Sequence, residues 1–206
     1  MPYKVLIVED QEMPRQLFEI FVRSDARYTH VASISNAELA IDFCSHGGID
    51  LILMDVMTEL GSSGLDAAEA IKKKYPAVKI IIVTSMPEFS WLERARAIGV
   101  DSFWYKETQK EPILDVMKRT MAGESIYPAD TPAVSIGYAS NHEFSERELE
   151  ILRELITGDS NAEIGERLGI APSTVKYHVQ NMLDKTGMHT RTELAVVARS
   201  LGIVIR

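Results

Sequence analysis

Four short apolar runs in the first half of this chain each end on a residue that can do chemistry. Val5–Val8 runs into Glu9 and Asp10. Leu51–Met54 runs into Asp55, Ile80–Val83 into Thr84 and Ser85, and Phe103-Trp104-Tyr105 into Lys106. A charge closing a buried run is costly unless it has a partner. Carboxylates packed together raise each other's pKa. A hard divalent cation relieves that repulsion, and few oxygen ligands supplemented by waters is the habit of Mg2+. With an ammonium and a hydroxyl beside the ion, an aspartate can serve as the oxygen nucleophile in phosphoryl transfer and form an acyl phosphate. Taken singly the signals are weak, since an acid after a strand equally suits the dipole of the next helix. Their shared position at strand ends is what points to phosphoryl chemistry. A phosphohydrolase could use the same nucleophile, but such enzymes commonly carry a second acid two residues on, where this chain has Met57.

The elements that must position these groups are legible from periodicity. Strand-length runs at Lys4–Val8, Tyr28–Ala32, Ile49–Met54, Lys79–Thr84 and Ser102–Tyr105 are rich in Val, Ile or aromatics. Between them the spacing predicts helices near 13–23, 36–46, 65–74, 88–98 and 110–121. Leu39, Ala40 and Phe43, and again Leu92, Ala95 and Ile98, show the three-and-four spacing of a buried helix face. Alternating strands and helices predict a doubly wound α/β domain, a five-stranded parallel sheet covered on both faces. In such a sheet, side chains past the carboxyl ends of the strands converge where the strand order reverses.

The texture changes at residues 123–143, where Gly123, Pro128, Pro132 and Gly137 break any period. This stretch is expected to be an exposed linker between a first domain, 1–122, and a second, 144–206. The second is expected to be small and all-α. Ser145…Glu148, Ser160…Glu163 and Thr190…Glu193 match the capping-box pattern, while Gly158, Gly169 and Gly187 mark helix ends. Two short helices around Gly169 follow helix-turn-helix logic, with Val175, Val179, Met182 and Leu183 on the packing face of the second. Its other face offers Lys176, Tyr177 and Gln180. Lys176 and Gln180 suit base edges; Ser173, Thr174, His178, Lys185 and Arg191 suit phosphates. A solvated helix face would carry much the same residues. The final helix, with Leu194 and Ala198, could close the core, form a dimer contact, or both.

The chain carries 22 Lys/Arg and 30 Asp/Glu, a net charge of −8, so any nucleic-acid role must rest on a local patch. No apolar run approaches the ~20 residues needed to span a bilayer. A single cysteine, Cys44, suits a reducing cytoplasm and reads as a small buried side chain. No membrane association is expected.

The motifs VLIVED, LILMDVM, IIIVTS and DSFWYKE resemble the receiver domain of two-component response regulators. The spacing Ser145-x-Arg147-Glu148, Ser160-Asn161-x-Glu163-Ile164 and Thr174-Val175-Lys176-x-His178 resembles the LuxR-type helix-turn-helix. Together they resemble the NarL/FixJ class. The resemblance implies a flavodoxin-like receiver in which a sensor histidine kinase phosphorylates Asp55. It implies that Glu9, Asp10, Asp55 and the Met57 backbone carbonyl hold Mg2+, that Thr84 and Lys106 contact the phosphoryl group, and that Thr84 and Phe103 switch. It also implies a cytoplasmic transcription regulator, homodimeric when active, bound to double-stranded promoter DNA. Such a protein accepts a phosphoryl group and loses it slowly by itself, and is not otherwise an enzyme. Four departures stand out. Glu9 stands in place of an aspartate, one methylene longer, Thr58-Glu59 replaces the family's Met-Pro, the glycine at Gly64 arrives one residue late, and Ala171 stands where a serine commonly caps the recognition helix. The altered loop raises a rival expectation, a receiver that only dimerises without phosphorylation.

Overall fold

The computed structural model describes residues 1–106 and 111–205. Its contacts divide the chain into two compact units, Met1–Ser85 with Ser90–Asp130, and Met86–Phe89 with Thr131–Arg206.

The first unit is a five-stranded parallel sheet. In chain order it runs β1 (Tyr3–Val8), α1 (Glu12–Ser24), β2 (Tyr28–Ile34), α2 (Ala40–Ser45) and β3 (Leu51–Asp55). A two-stranded hairpin follows, β4 (Met57–Thr58) and β5 (Ser62–Ser63). Then come α3 (Gly64–Lys74), β6 (Lys79–Thr84), α4 (Phe89–Ile98), β7 (Ser102–Tyr105) and α5 (Ile113–Met121). The sheet order is β2-β1-β3-β6-β7. The chain winds outward one way from β1 and then the other way from β3, so the reversal falls between these strands, whose tips carry Glu9 and Asp55. Val5, Ile7, Leu51, Leu53, Ile81 and Val83 face α1 and α5 through Phe18, Val22, Val116 and Met117. Their strand neighbours Leu6, Ile52, Ile80 and Ile82 are equally buried on the opposite face. This two-sided burial is why these strands are apolar throughout rather than alternating. The expected strands and helices are present; the expected helix start at residue 110 lies outside the described residues.

The second unit is helical: α6 (Glu146–Leu155), α7 (Asn161–Leu168), α8 (Pro172–Thr186) and α9 (Arg191–Ser200). Ser145/Glu148 and Ser160/Glu163 form complete reciprocal capping boxes. At α9, Thr190 caps the Glu193 amide, while the Glu193 carboxylate turns to the His189 amide instead. Gly169 and Gly187 end α7 and α8 in the left-handed conformation. Leu149, Leu152, Ile164, Val175, Met182, Leu194 and Ala198 share one core.

The stretch expected to be an exposed linker, 123–143, is ordered along most of its length. Ile126 is buried and bridges the outer edge of β7: the Phe103 amide donates to the Ile126 carbonyl at 2.8 Å, and the Ile126 amide to Ser102 Oγ at 3.2 Å. The Tyr127 hydroxyl donates to the Val100 carbonyl at 2.7 Å. Beyond Asp130 a hairpin of β8 (Ser135–Ile136) and β9 (Ala139–Ser140) drives Ile136 into the helical core. The glycines and prolines that break periodicity are real, but single apolar residues between them insert into one core or the other. The units therefore part at residues 130 and 131.

Candidate functional site

Parallel pairing aligns the strand tips that matter. Val8 pairs with Met54, which sets Glu9 and Asp55 side by side one residue further on. Asp55 pairs with Val83, and Thr84 with Tyr105, so Thr84 and Lys106 close the same rim. The Lys106 amide donates to the Thr84 carbonyl at 2.9 Å, which fixes where the lysine side chain starts. Oxygens of Glu9, Asp10 and Asp55 lie within 4.8 Å of one another. Glu9 is fully buried and Asp55 nearly so. The Lys106 ammonium bridges them, 2.5 Å from Glu9 Oε2 and 2.7 Å from Asp55 Oδ2, while the other Asp55 oxygen accepts the Val56 amide at 2.7 Å.

Burial dominates the Asp55 carboxyl and, with the nearby Glu9 charge, pushes its pKa up to about 7 against the opposing pull of Lys106. Burial alone would lower Lys106, but its two carboxylate partners outweigh that and hold it above the ordinary range. The result is a buried carboxylate held in one orientation from both sides, in a pocket whose ligand atoms are hard oxygens. The donor set fits a small divalent cation.

Of the expected site residues, Glu9, Asp10, Asp55 and Lys106 are brought together, and Thr84 lies buried at the same rim. Phe103, three residues before Lys106, is fully buried, its ring 5.1 Å from that of Tyr105 and 6.4 Å from that of Tyr127. Trp91 is buried. Trp104 is partly buried, edge-on to Phe18, with its indole N–H donating to the Glu111 carbonyl at 3.0 Å.

The altered loop has a definite path. Met57 pairs with Ser63 and Thr58 with Ser62. Leu60 and Gly61, at φ 61° and 73°, form the tip and take up the extra residue. Thr58 Oγ1 ties the hairpin down, accepting the Ala37 amide and donating to the Ser62 carbonyl, both at 3.0 Å. The chain thus rejoins α3 with the Gly64 amide on the Val56 carbonyl at 2.8 Å. Gly64 is a functional position that composition does not reveal. A Cβ there would stand 1.9 Å from the Asp55 carbonyl oxygen. The sequence signals were the displaced family glycine after the Thr58-Glu59 departure and its place directly after the Ser63 helix cap.

In the second unit, α8 turns Ser173, Lys176, Tyr177 and Gln180 to solvent, with Thr174 and His178 half-buried beside them. Ala171 offers no side-chain cap, and Pro172 opens the helix. Two residues expected to grip phosphates are engaged within the fold. Lys185 Nζ donates to Glu148 Oε2 at 2.7 Å and to the Glu143 carbonyl at 2.9 Å, holding the capping box of α6. The Arg191 guanidinium holds Asn161 Oδ1 at 2.9 Å and the Asp159 carbonyl, clamping the start of α7. Sequence could not foresee this, because the partners lie 30 to 42 residues away in the chain.

Comparison with known proteins agrees with both halves. The family model for the response regulator receiver domain matches residues 5–118, and that for bacterial regulatory proteins of the luxR family matches residues 142–198. The response regulator protein VraR of Staphylococcus saprophyticus is 32% identical over 203 residues, covering 96% of this chain and 97% of that protein. VraR of Staphylococcus aureus is 33% identical over 206 residues, with the same coverage. Among solved structures, a chain from the structure of two RcsB dimers bound to two parallel DNAs matches with a TM-score of 0.65 at 15% identity, over 98% of this chain and all of that one. The response regulator ChrA of a heme-sensing two-component system matches with a TM-score of 0.52 at 22% identity, covering 97% of each chain. These two likenesses speak to fold.

Proposed function

Because this chain belongs to the response regulator family, a receiver joined to a LuxR-type DNA-binding domain, we propose that phosphorylation of Asp55 controls how it dimerises and binds promoter DNA. The observation that carries this reading is the buried Asp55 carboxylate, clamped by Val56 and Lys106 beside two further acids. Glu9, Asp10, Asp55 and the Met57 carbonyl would hold Mg2+, which supplies neutralising charge for the phosphoryl oxygens. An Asp55 oxygen bonds to phosphorus as the N–P bond of a phosphohistidine on the sensor kinase breaks. Raising the carboxyl pKa leaves Asp55 a stronger nucleophile once deprotonated, and Lys106, freed from one carboxylate as its charge is covered, stays to balance the phosphoryl group. Protein access beside Lys106 is available along α1, where Met13, Leu17 and Ile20 leave apolar side chains exposed around a cleft of about 490 Å³.

Thr84 and Phe103 lie on the two strands that end at this rim and are the residues through which the change would spread. A dimer presents two copies of α8 to a two-fold site, since one small module buries too little surface for specific affinity; dimers on DNA are named for the related RcsB structure. The protein works in the cytoplasm and turns over no substrate beyond its own slow dephosphorylation. Among the described residues no helix is long and apolar enough to cross a membrane. The test is incubation of the chain and Asp55→Asn with acetyl phosphate, with and without Mg2+, followed by intact mass, sedimentation and DNA titration. The reading requires Mg2+-dependent labelling, association and tighter DNA binding, all lost in Asp55→Asn. Association and DNA binding that are indifferent to all three would instead favour a receiver that only dimerises.

A further inference from the structure

The hairpin β8–β9 lies in front of the LuxR-family region and presents one side chain conspicuously. Tyr138, at its tip, is 91% exposed, and its hydroxyl makes no hydrogen bond among the described residues. Its placement is nevertheless fixed. The Tyr138 amide donates to the Thr186 carbonyl at 3.0 Å, in the last turn of α8. Gly137 has φ 62°, and a Cβ on it would stand 2.0 Å from that same carbonyl oxygen, so the turn needs glycine there to approach the helix end. Glycine at the first central position is the pattern of a tight two-residue hairpin. Ile136, fully buried, anchors the other side. An exposed aromatic on a rigid mount is an unusual use of backbone constraint.

The mount points it at a particular face. A Cβ on Gly187 would stand 2.4 Å from Tyr138 Cε2, so the ring lies where a side chain at position 187 would go. Eleven residues separate Lys176 from Gly187, so the Gly187 Cα, the first beyond α8, stands about three turns along and about 20° around the axis from that of Lys176. The Tyr138 ring, packed on Gly187, therefore sits past the end of the helix near the side that carries Lys176 and Gln180. Helix α8 has 15 residues, about 22 Å, and the major groove is about 12 Å wide. With α8 set across the groove and its Lys176 end on the bases, the far end of that side reaches the phosphate ridge. Two side chains expected to hold phosphates are engaged within the fold instead: Lys185 on Glu148, and Arg191 on Asn161.

We propose that the Tyr138 hydroxyl donates a hydrogen bond to a backbone phosphate of duplex DNA, just beyond the bases reached by Lys176 and Gln180, extending the footprint of the recognition helix. This rests on the reading that α8 enters the groove, and Lys176→Ala tests that reading separately. The experiment titrates the full chain, Tyr138→Phe, Tyr138→Arg and Lys176→Ala into a fluorescein-labelled random-sequence duplex at several salt concentrations, reading anisotropy. At so exposed a position neither Tyr138 variant should alter the thermal midpoint. Tyr138→Phe should weaken binding about tenfold or more, as loss of a hydrogen bond to a charged group requires. Tyr138→Arg should steepen the plot of log K against log salt by about 0.9 per added phosphate contact. Tyr138→Phe binding like the parent chain, or Tyr138→Arg with an unchanged slope, overturns the proposal. Lys176→Ala binding like the parent chain would instead overturn the docking of α8, whatever the Tyr138 variants do.

Discussion

Replacing Lys106 with methionine isolates what its ammonium does. The lysine side chain is 10% exposed, Glu9 is fully buried, and the two contacts are 2.5 and 2.7 Å. At an effective dielectric of 20, one unit-charge pair at 2.7 Å is worth about 6 kcal/mol. Burying the ammonium offsets several kcal/mol of that, and removing one partner of a buried ion pair typically costs 3–5 kcal/mol. One carboxyl can take up a proton in the variant, and Asp55 with a pKa of about 7 is the group placed to do so. Lys106→Met should therefore cost about 3 kcal/mol at pH 8 and distinctly less at pH 6, where a proton replaces the ammonium. Both tryptophans, Trp91 and Trp104, lie in the first unit, so tryptophan-selective fluorescence during urea unfolding in EDTA reports that unit alone. A loss of 3 kcal/mol in a unit this size lowers the thermal midpoint by about 10 °C. Adding Asp55→Asn to Lys106→Met should recover part of the loss, because one of the two stranded carboxylates is gone. An unchanged midpoint at pH 8, or equal losses at both pH values, would refute the claim that Lys106 is the counter-ion of this pair.

Other outcomes follow from the same geometry. Asp55 has a folded-state pKa raised above its unfolded value, so its contribution is fully present below pH 4 and is lost as pH rises through about 7; the first unit should lose stability between about pH 4 and 7 and level off above that without divalent ions, and Asp55→Asn should flatten that profile in urea melts. Gly64→Ala should destabilise the first unit by about 2–3 kcal/mol and abolish acetyl-phosphate labelling, because its Cβ meets the Asp55 carbonyl backbone, which cannot rotate away. Lys185→Met should lower the melting point of the second unit by leaving the nearly buried Glu148 without its ammonium, while leaving the salt slope of DNA binding almost unchanged; a flattened slope with intact stability would return Lys185 to the phosphate.

How much the sequence revealed depended on how far each contact reached. Parallel strands buried on both faces announce themselves as apolar runs, and their ends place Glu9, Asp55, Thr84 and Lys106 at one rim before any coordinates are seen. Helix starts were equally plain, because a capping box closes within four residues. The hairpin after Asp55 was not legible, since its path depends on Leu60 adopting a left-handed conformation that leucine disfavours and on Thr58 reaching Ala37. The order in 123–143 was hidden for a related reason. Ile126 and Ile136 are isolated apolar residues without period, and each is read correctly only beside the core that receives it. The engagement of Lys185 and Arg191 likewise depends on partners far away in the chain.

Control of dimerisation and DNA binding turns on Asp55 receiving the phosphoryl group. An acyl phosphate is reduced by borohydride to a homoserine residue, which marks the acceptor permanently. Peptide mass mapping after acetyl-phosphate treatment with Mg2+ and borohydride reduction should find homoserine at position 55 and leave Glu9 and Asp10 intact. Homoserine at another position, or none anywhere while the protein still responds to the phosphodonor, would contradict it.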